Sequence, residues 1–220
     1  MSSHHIIKDN QEPALIIANG MDCRFELLAP LLKWSPLIIV LDAAIERVMK
    51  LNIKVDVLLG DFDRNFDVEK YKTAPFPIEI IHTPDQNKTD LEKAFDYLVN
   101  RGITTVNVVW ATGKRADHTM TNITNIIRYR NLLKIVILDD HSKIIVLPKK
   151  FKQWYPAHTP ISLIPVGQVT GVYTTNLFYP LQNDTLTIGY KTSSSNHVVE
   201  DGIISIEHLE GDLLLMECTD

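Results

Sequence analysis

Cysteine is scarce in this chain. Cys23 and Cys218 stand near opposite ends and form no C-x-x-C or other metal or redox spacing, which fits a reduced compartment. Long apolar runs are missing as well. No stretch approaches the ~20 residues of a membrane span, and the start, MSSHHIIKDNQEP, has no apolar core of signal-peptide length. The expectation is a cytoplasmic protein without a membrane partner. An excess of positive charge is absent too: the net charge of -5 argues against a dedicated nucleic-acid or anionic-membrane surface, although a local basic patch remains compatible with phosphate chemistry. The familiar nucleotide fingerprints are also lacking, with no G-x-x-x-x-G-K-[ST], no kinase glycine loop and no G-x-G-x-x-G. Nor is there a Ser/His/Asp or Cys/His nucleophile pattern, an internal repeat or a low-complexity tract.

What the chain has is a globular composition, 45% hydrophobic and 22% charged, enough for one sizeable domain or two modest ones. Through residue 140, short β-branched runs alternate with amphipathic segments: ALIIANG, LIIVLDA, VDVLLGD, IEIIHTP, TTVNVVWATG and KIVILDD. That rhythm predicts an α/β fold, a parallel, Rossmann-like sheet in three layers with helices on its faces. The clearest helix is TDLEKAFDYLVNRG, with Leu91, Ala94, Phe95 and Leu98 on one face, a Thr89/Glu92 capping box and Gly102 as its stop. A second begins near DHTMTNITNIIRYR with Ile123, Ile126 and Ile127 as its inner stripe. From residue 141 to 220, SKIIVLP, ISLIPVG, VTGVYTTNLFYPL, DTLTIGY, GIISIEH and DLLLMEC follow one another between turn residues, which predicts a small all-β sandwich.

In an open parallel sheet, ligands sit beyond the carboxyl ends of the strands. The residues that follow the runs are Asn19 and Gly20, Asp42, Gly60 with Asp61 and Asp63, Asp85 through Asp90, and Gly113 with Lys114, Arg115 and Asp117. Asp61 and Asp63, spaced i, i+2 in extended chain, would lie on one side ~7 Å apart. Carboxylates aimed into one cleft repel each other, and a hard divalent cation relieves that repulsion. Taken alone, the pair reads equally well as a solvated turn. Lys88, before a helix start, and Arg115, after Gly113, are donors suited to phosphate, and Gly113 allows close backbone approach. Thr89 needs no ligand, because the capping box accounts for it. Carboxylates for a metal plus cations for phosphates describe phosphoryl-type transfer.

GDFD at Gly60 to Asp63, PDQNKTDLEKA at Pro84 to Ala94, GKRADHTMTNI at Gly113 to Ile123, LIPVG at Leu163 to Gly167 and SSSN at Ser193 to Asn196, in this order, resemble the thiamine pyrophosphokinase family. The resemblance implies an enzyme that moves the terminal pyrophosphate of ATP onto the hydroxyl of thiamine, giving thiamine diphosphate and AMP with Mg2+. It implies metal ligation by Asp61, Asp63 and Asp90, with Asp42, Arg115 and Asp117 completing the catalytic cleft. Asn19, Gly20, Gln86, Lys88 and Gly113 would lie around the nucleotide. It also implies a homodimer in which thiamine sits between the cleft and the β domain of the other subunit, with Tyr179 stacking on the pyrimidine and Ser194, Ser195 and Asn196 bonding to it. Read alone, Tyr179 is sheet packing and the serine run a plain turn. The chain departs from the family pattern at Ala43 and Ala44, at Arg64, where serine is usual, and at Asn87, which replaces a frequent aspartate. Two alternatives stand beside this one: a pyrophosphokinase for another alcohol or pyrimidine acceptor, and a catalytically silent thiamine- or nucleotide-binding protein.

Overall fold

The computed structural model describes residues 13–34, 37–62, 66–72 and 76–219. The chain divides into two compact units, Met1–Asp139 and Asp140–Asp220. In the first, the elements alternate as β1 (Ala14–Ile17), α1 (Phe25–Trp34), β2 (Ile38–Leu41), α2 (Ile45–Lys50), β3 (Val57–Gly60), α3 (Glu69–Lys72), β4 (Glu79–His82), α4 (Asp90–Asn100), β5 (Thr105–Val109), α5 (Ala116–Asn125) and β6 (Lys134–Leu138). The strands lie in the order β4-β3-β2-β1-β5-β6, and their pairings are parallel. Each of β1, β2, β3 and β5 is buried at every position. This is why β1, β2 and β3 read as unbroken apolar runs rather than as alternations. The chain steps outward from β1 to β4 and then returns to place β5 on the other side of β1. That reversal is a topological switch point, and the loops beyond β1 and β5 flank it.

Helix α4 forms as the sequence predicts. Thr89 Oγ1 accepts from Glu92 N at 3.3 Å while Glu92 Oε2 accepts from Thr89 N at 3.0 Å, closing the capping box. Leu91, Ala94, Phe95 and Leu98 are buried, and each of the larger three contributes about 1.5–3 kcal/mol. The second predicted helix is shorter than its apolar stripe. Ile126 and Ile127 are buried in a 3-10 turn, Ile126–Tyr129, that follows α5, and Ile123 is half-buried. Tightening the backbone there turns the two isoleucines inward after α5 has run without a buried residue.

A buried amide interrupts the sheet. Asn107, at the centre of β5, is fully buried, and neither its amide oxygen nor its nitrogen has a hydrogen-bond partner among the described residues. An unsatisfied buried amide is worth about 1–3 kcal/mol of lost stability. Asn107→Val, which also suits a strand, is therefore expected to raise the unfolding free energy by about 1 kcal/mol or more in a denaturant titration. A fall would show that a buried water satisfies the amide.

The second unit contains β7 (Ser142–Val146), β8 (Lys150–Tyr155), β9 (Pro160–Thr175), β10 (Gln182–Thr187), β11 (Ser193–His197), β12 (Gly202–Glu207) and β13 (Glu210–Cys218). Its recorded pairings are antiparallel, and its described residues include no helix. ISLIPVG and VTGVYTT, separate runs in sequence, are one long strand. Its first half pairs with β11 and β13, and its second half with β10 and β12. A register shift of β13 between Glu210 and Asp212 absorbs the interruption around Gly167, so a bulge mimics a turn. Ile161, Leu163, Val169, Val172, Leu186, Ile204, Ile206, Leu213 and Leu215 share one core cluster. Strand β8 was hidden in KFKQWY because it pairs through β12 alone among the described strands and exposes Lys150 and Lys152, as an edge strand does. Ser193 to Asn196 form strand rather than a plain turn. Among the described residues, no helix is long and apolar enough to cross a membrane.

Candidate active site

At the carboxyl ends of the parallel strands, the loops surround a cleft of about 650 Å³. Three carboxylates converge in it. Asp42 follows β2, Asp61 follows β3 and Asp90 begins α4, and one oxygen from each lies within 4.8 Å of the others. Gly60 makes the approach possible, because a Cβ at that position would stand 2.9 Å from the Cβ of Asp42. The last residue of β3 therefore has to be the smallest one for the neighbouring aspartate to lie against it. Asp42 itself takes φ +34°, a backbone value that side chains rarely adopt. Half-buried carboxylates this close repel strongly. A hard cation holds oxygen ligands at ~2.0–2.6 Å, so ligands on opposite sides of it are ~4–5 Å apart, and this donor set fits a divalent ion such as Mg2+.

Asp63 lies outside the described residues, and Asp42 joins Asp61 and Asp90. The backbone is not extended at Phe62, which has φ +47°. Its ring stacks between Phe66, at 5.4 Å, and His82, at 6.0 Å. The aromatic anchor turns the backbone immediately after Asp61.

Lys93 is a residue that sequence reasoning missed. Its side chain is 7% exposed, and its ammonium donates to Asp90 Oδ1 at 3.0 Å and to the Thr83 carbonyl at 2.8 Å. It thereby holds the first carboxylate of α4 against the end of β4. The i, i+3 spacing from Asp90 was the available signal. Gln86 Nε2 donates to Asp61 Oδ2 at 3.1 Å. Lys88 lines the cleft, but its ammonium is already paired with Asp96 at 2.6 Å, and that partner raises its pKa.

At the opposite wall, Arg115 and Asp117 form a two-pronged ion pair, Nε to Oδ1 at 3.1 Å and NH2 to Oδ2 at 2.5 Å. The guanidinium holds the Asp117 carboxyl down to about 2, so it is ionised at neutral pH. Lys114 Nζ donates to the Asn19 carbonyl at 3.1 Å, and burial, with the Arg47 charge second, lowers its pKa. The loops after β1 and β5 interlock beneath these groups. Gly20 N bonds to the Trp110 carbonyl at 2.5 Å and Met21 N to the Thr112 carbonyl at 2.8 Å. Gly113, at φ +75°, leaves room for Met21, whose Cβ would lie 2.5 Å from a Cβ on Gly113.

The pattern described as "Thiamin pyrophosphokinase, catalytic domain" matches residues 28–137, half of the chain, and "Thiamin pyrophosphokinase, vitamin B1 binding domain" matches residues 144–211. The chain belongs to the thiamin pyrophosphokinase family. A protein of Oryza sativa subsp. japonica named thiamine pyrophosphokinase 1 is 31% identical over 168 residues, which is 70% of this chain and 63% of the rice protein. The chain thus spans less than two thirds of that relative's length. The crystal structure of the thiamin pyrophosphokinase from Geobacillus thermodenitrificans is similar at a TM-score of 0.75 and 26% identity, covering 94% of this chain and 98% of that one. The yeast thiamin pyrophosphokinase structure is similar at a TM-score of 0.83, covering 97% of this chain and 88% of that one, and at 17% identity it speaks for the fold.

Within the region matched to the family's vitamin B1 binding domain, Tyr179 is 59% exposed, and the ring of Phe178 meets it edge-on at 4.9 Å. Phe178 in turn stacks on His197 at 4.6 Å. An exposed ring braced from the side is not the sheet packing that a tyrosine in a β-rich stretch usually represents. Ser194 and Ser195 are exposed. Asn196, by contrast, is 1% exposed and engaged within the chain. Its Oδ1 accepts from Tyr179 N at 3.0 Å and His197 N at 2.9 Å, and its Nδ2 donates to the Tyr179 carbonyl at 2.9 Å and to Ser193 Oγ at 3.1 Å. The side chain expected to touch a ligand instead brackets the backbone of Tyr179.

Proposed function

We propose that this protein is a thiamine pyrophosphokinase, transferring the terminal pyrophosphoryl group of ATP to the hydroxyl of thiamine and releasing AMP. The observation that carries the reading is the convergence of Asp42, Asp61 and Asp90 within 4.8 Å, in a cleft also lined by Lys93, Lys114 and Arg115, in a member of this family. This reading takes the first unit as a three-layer, Rossmann-like nucleotide domain and the second as a β-sandwich that carries thiamine, working in the cytoplasm.

In the reaction, the thiamine hydroxyl oxygen bonds to the β-phosphorus, the bond from that phosphorus to the α,β-bridging oxygen breaks, and the hydroxyl proton is released. Asp42, Asp61 and Asp90 would hold Mg2+, which offsets phosphate charge and polarises the phosphoryl oxygens when bound. Lys93 keeps Asp90 turned into the cleft. Lys114 and Arg115 present positive charge to the polyphosphate, and Asp117 keeps the Arg115 fork oriented. The exposed Tyr179 ring suits a flat aminopyrimidine joined to a cationic thiazolium, and Asn196 fixes the backbone that presents it. Holding both substrates in line supplies much of the acceleration.

We further propose a homodimer in which the thiamine-carrying unit of one subunit serves the cleft of its partner. Light scattering is expected to give twice the monomer mass, and a monomer at assay concentration contradicts the shared site. The catalytic reading is tested by incubating the purified protein with ATP, Mg2+ and thiamine. Thiamine diphosphate and AMP are expected to accumulate together. Binding of both substrates without turnover would point to a silent binding protein, and turnover of a different alcohol in place of thiamine to an altered acceptor.

A further inference from the structure

Arg47 lies on α2, and its side chain is held from three directions. Its guanidinium pairs with Asp22, its NH2 donates to Asn19 Oδ1 at 2.9 Å, and its Cζ stands 4.5 Å from the centre of the Trp110 ring. Trp110 is 1% exposed and supplies a fixed platform, while the Arg47 side chain is 25% exposed. A guanidinium stacked on an indole presents its donors in a fixed plane. It carries donors and no acceptor, so the Asn19 atom that faces it has to be the carbonyl oxygen. That settles the orientation of an amide whose two ends have the same shape. The Asn19 nitrogen is left with no protein acceptor among the described residues, and Asn19 lines the cleft. Lys114, bonded to the Asn19 backbone carbonyl, puts a second cation beside it.

We propose that Arg47 is a positioning residue for the phosphate chain of the nucleotide. By fixing the Asn19 amide, it turns two N–H donors toward an acceptor oxygen on the bound polyphosphate. The anionic character of that acceptor follows from the two cations that flank Asn19. This inference rests on ATP being the phosphoryl donor of the same cleft. It also assigns a physical reason to an arginine that touches no carboxylate of the cluster. An Arg47→Lys change would keep the charge but lose the fork that reaches Asp22 and Asn19 while stacking on Trp110.

The test is calorimetric binding of α,β-methylene ATP with Mg2+ to the full chain and to Asn19→Ala, Arg47→Met, Arg47→Lys and the Asn19→Ala/Arg47→Met double variant. Each single change is expected to weaken binding about tenfold, the scale of one hydrogen bond to a charged acceptor. The double variant is expected to bind no more weakly than either single, because Arg47 acts through Asn19 and the effects do not add. Arg47→Lys is expected to stay with Arg47→Met. Losses that multiply in the double variant, wild-type affinity in Arg47→Lys, or wild-type affinity in Asn19→Ala would overturn the proposal while leaving the ATP reading intact. Asn19 is exposed, so wild-type affinity in its variant overturns the proposal even if the Arg47 variants fail to fold. An unaltered protein that does not bind the analogue overturns both readings.

Discussion

Asp61→Asn is expected to leave the protein folded and to lower the rate of thiamine diphosphate formation on the order of a thousandfold. The substitution keeps the shape of the side chain and an oxygen able to accept from Gln86, whose Nε2 lies 3.1 Å from Asp61 Oδ2. It removes one of the charges that Asp42, Asp61 and Asp90 bring within 4.8 Å of one another. Because those charges repel when no cation lies between them, the variant's unfolding midpoint without metal should equal or exceed that of the parent. With Mg2+ the order reverses: ion binding to the native state raises the parental midpoint, and the variant gains less. Initial rates and thermal unfolding with and without Mg2+ check both signs. Near-parental turnover would remove Asp61 from the metal site.

The second large effect belongs to the other unit. Asn196→Ala removes both acceptor bonds, from Tyr179 N and His197 N, and both donor bonds, to the Tyr179 carbonyl and Ser193 Oγ. The site is 1% exposed, so water cannot readily replace the amide. A loss of about 2–4 kcal/mol in unfolding free energy is expected, with a matching fall in the midpoint of a denaturant titration. The same change releases the backbone beneath Tyr179. In whatever fraction remains folded, the KM for thiamine should rise several-fold while the KM for ATP stays near its parental value. A rise confined to ATP would contradict the role given to Tyr179.

The parallel sheet was legible because β1, β2 and β3 are buried at every position and read as unbroken apolar runs. Polar residues at their ends therefore stood out, and α4 announced itself through Thr89, Glu92 and its apolar stripe. The site was legible in part. Asp42, Asp61 and Asp90 all stand at strand ends in the sequence, but that Asp42 meets the other two depends on β2 lying next to β3 and on Gly60 leaving space for it. Neither adjacency nor clearance is encoded locally. Phe62 shows the limit of period-2 reasoning, since its left-handed backbone directly after Asp61 is not signalled by the spacing of the residues around it. Lys93 and Arg47 were hidden for another reason. On a helix, a lysine or arginine usually marks a solvated face, and only the tertiary partners, Thr83 and Asp90 for one and Asn19, Asp22 and Trp110 for the other, reveal their work. In the second unit, the serine run concealed a strand because two consecutive exposed positions, Ser194 and Ser195, lie between the buried Ser193 and Asn196 and break the alternation.

Which phosphorus moves separates pyrophosphoryl transfer from transfer of a single phosphoryl group. ATP labelled at its β-phosphorus, incubated with the protein, Mg2+ and thiamine, should deliver the label to thiamine diphosphate and leave AMP unlabelled, with the two products formed in equal amounts. Label retained in ADP, with thiamine monophosphate as the other product, would mean transfer of the γ-phosphoryl group alone and would contradict pyrophosphoryl transfer in this cleft.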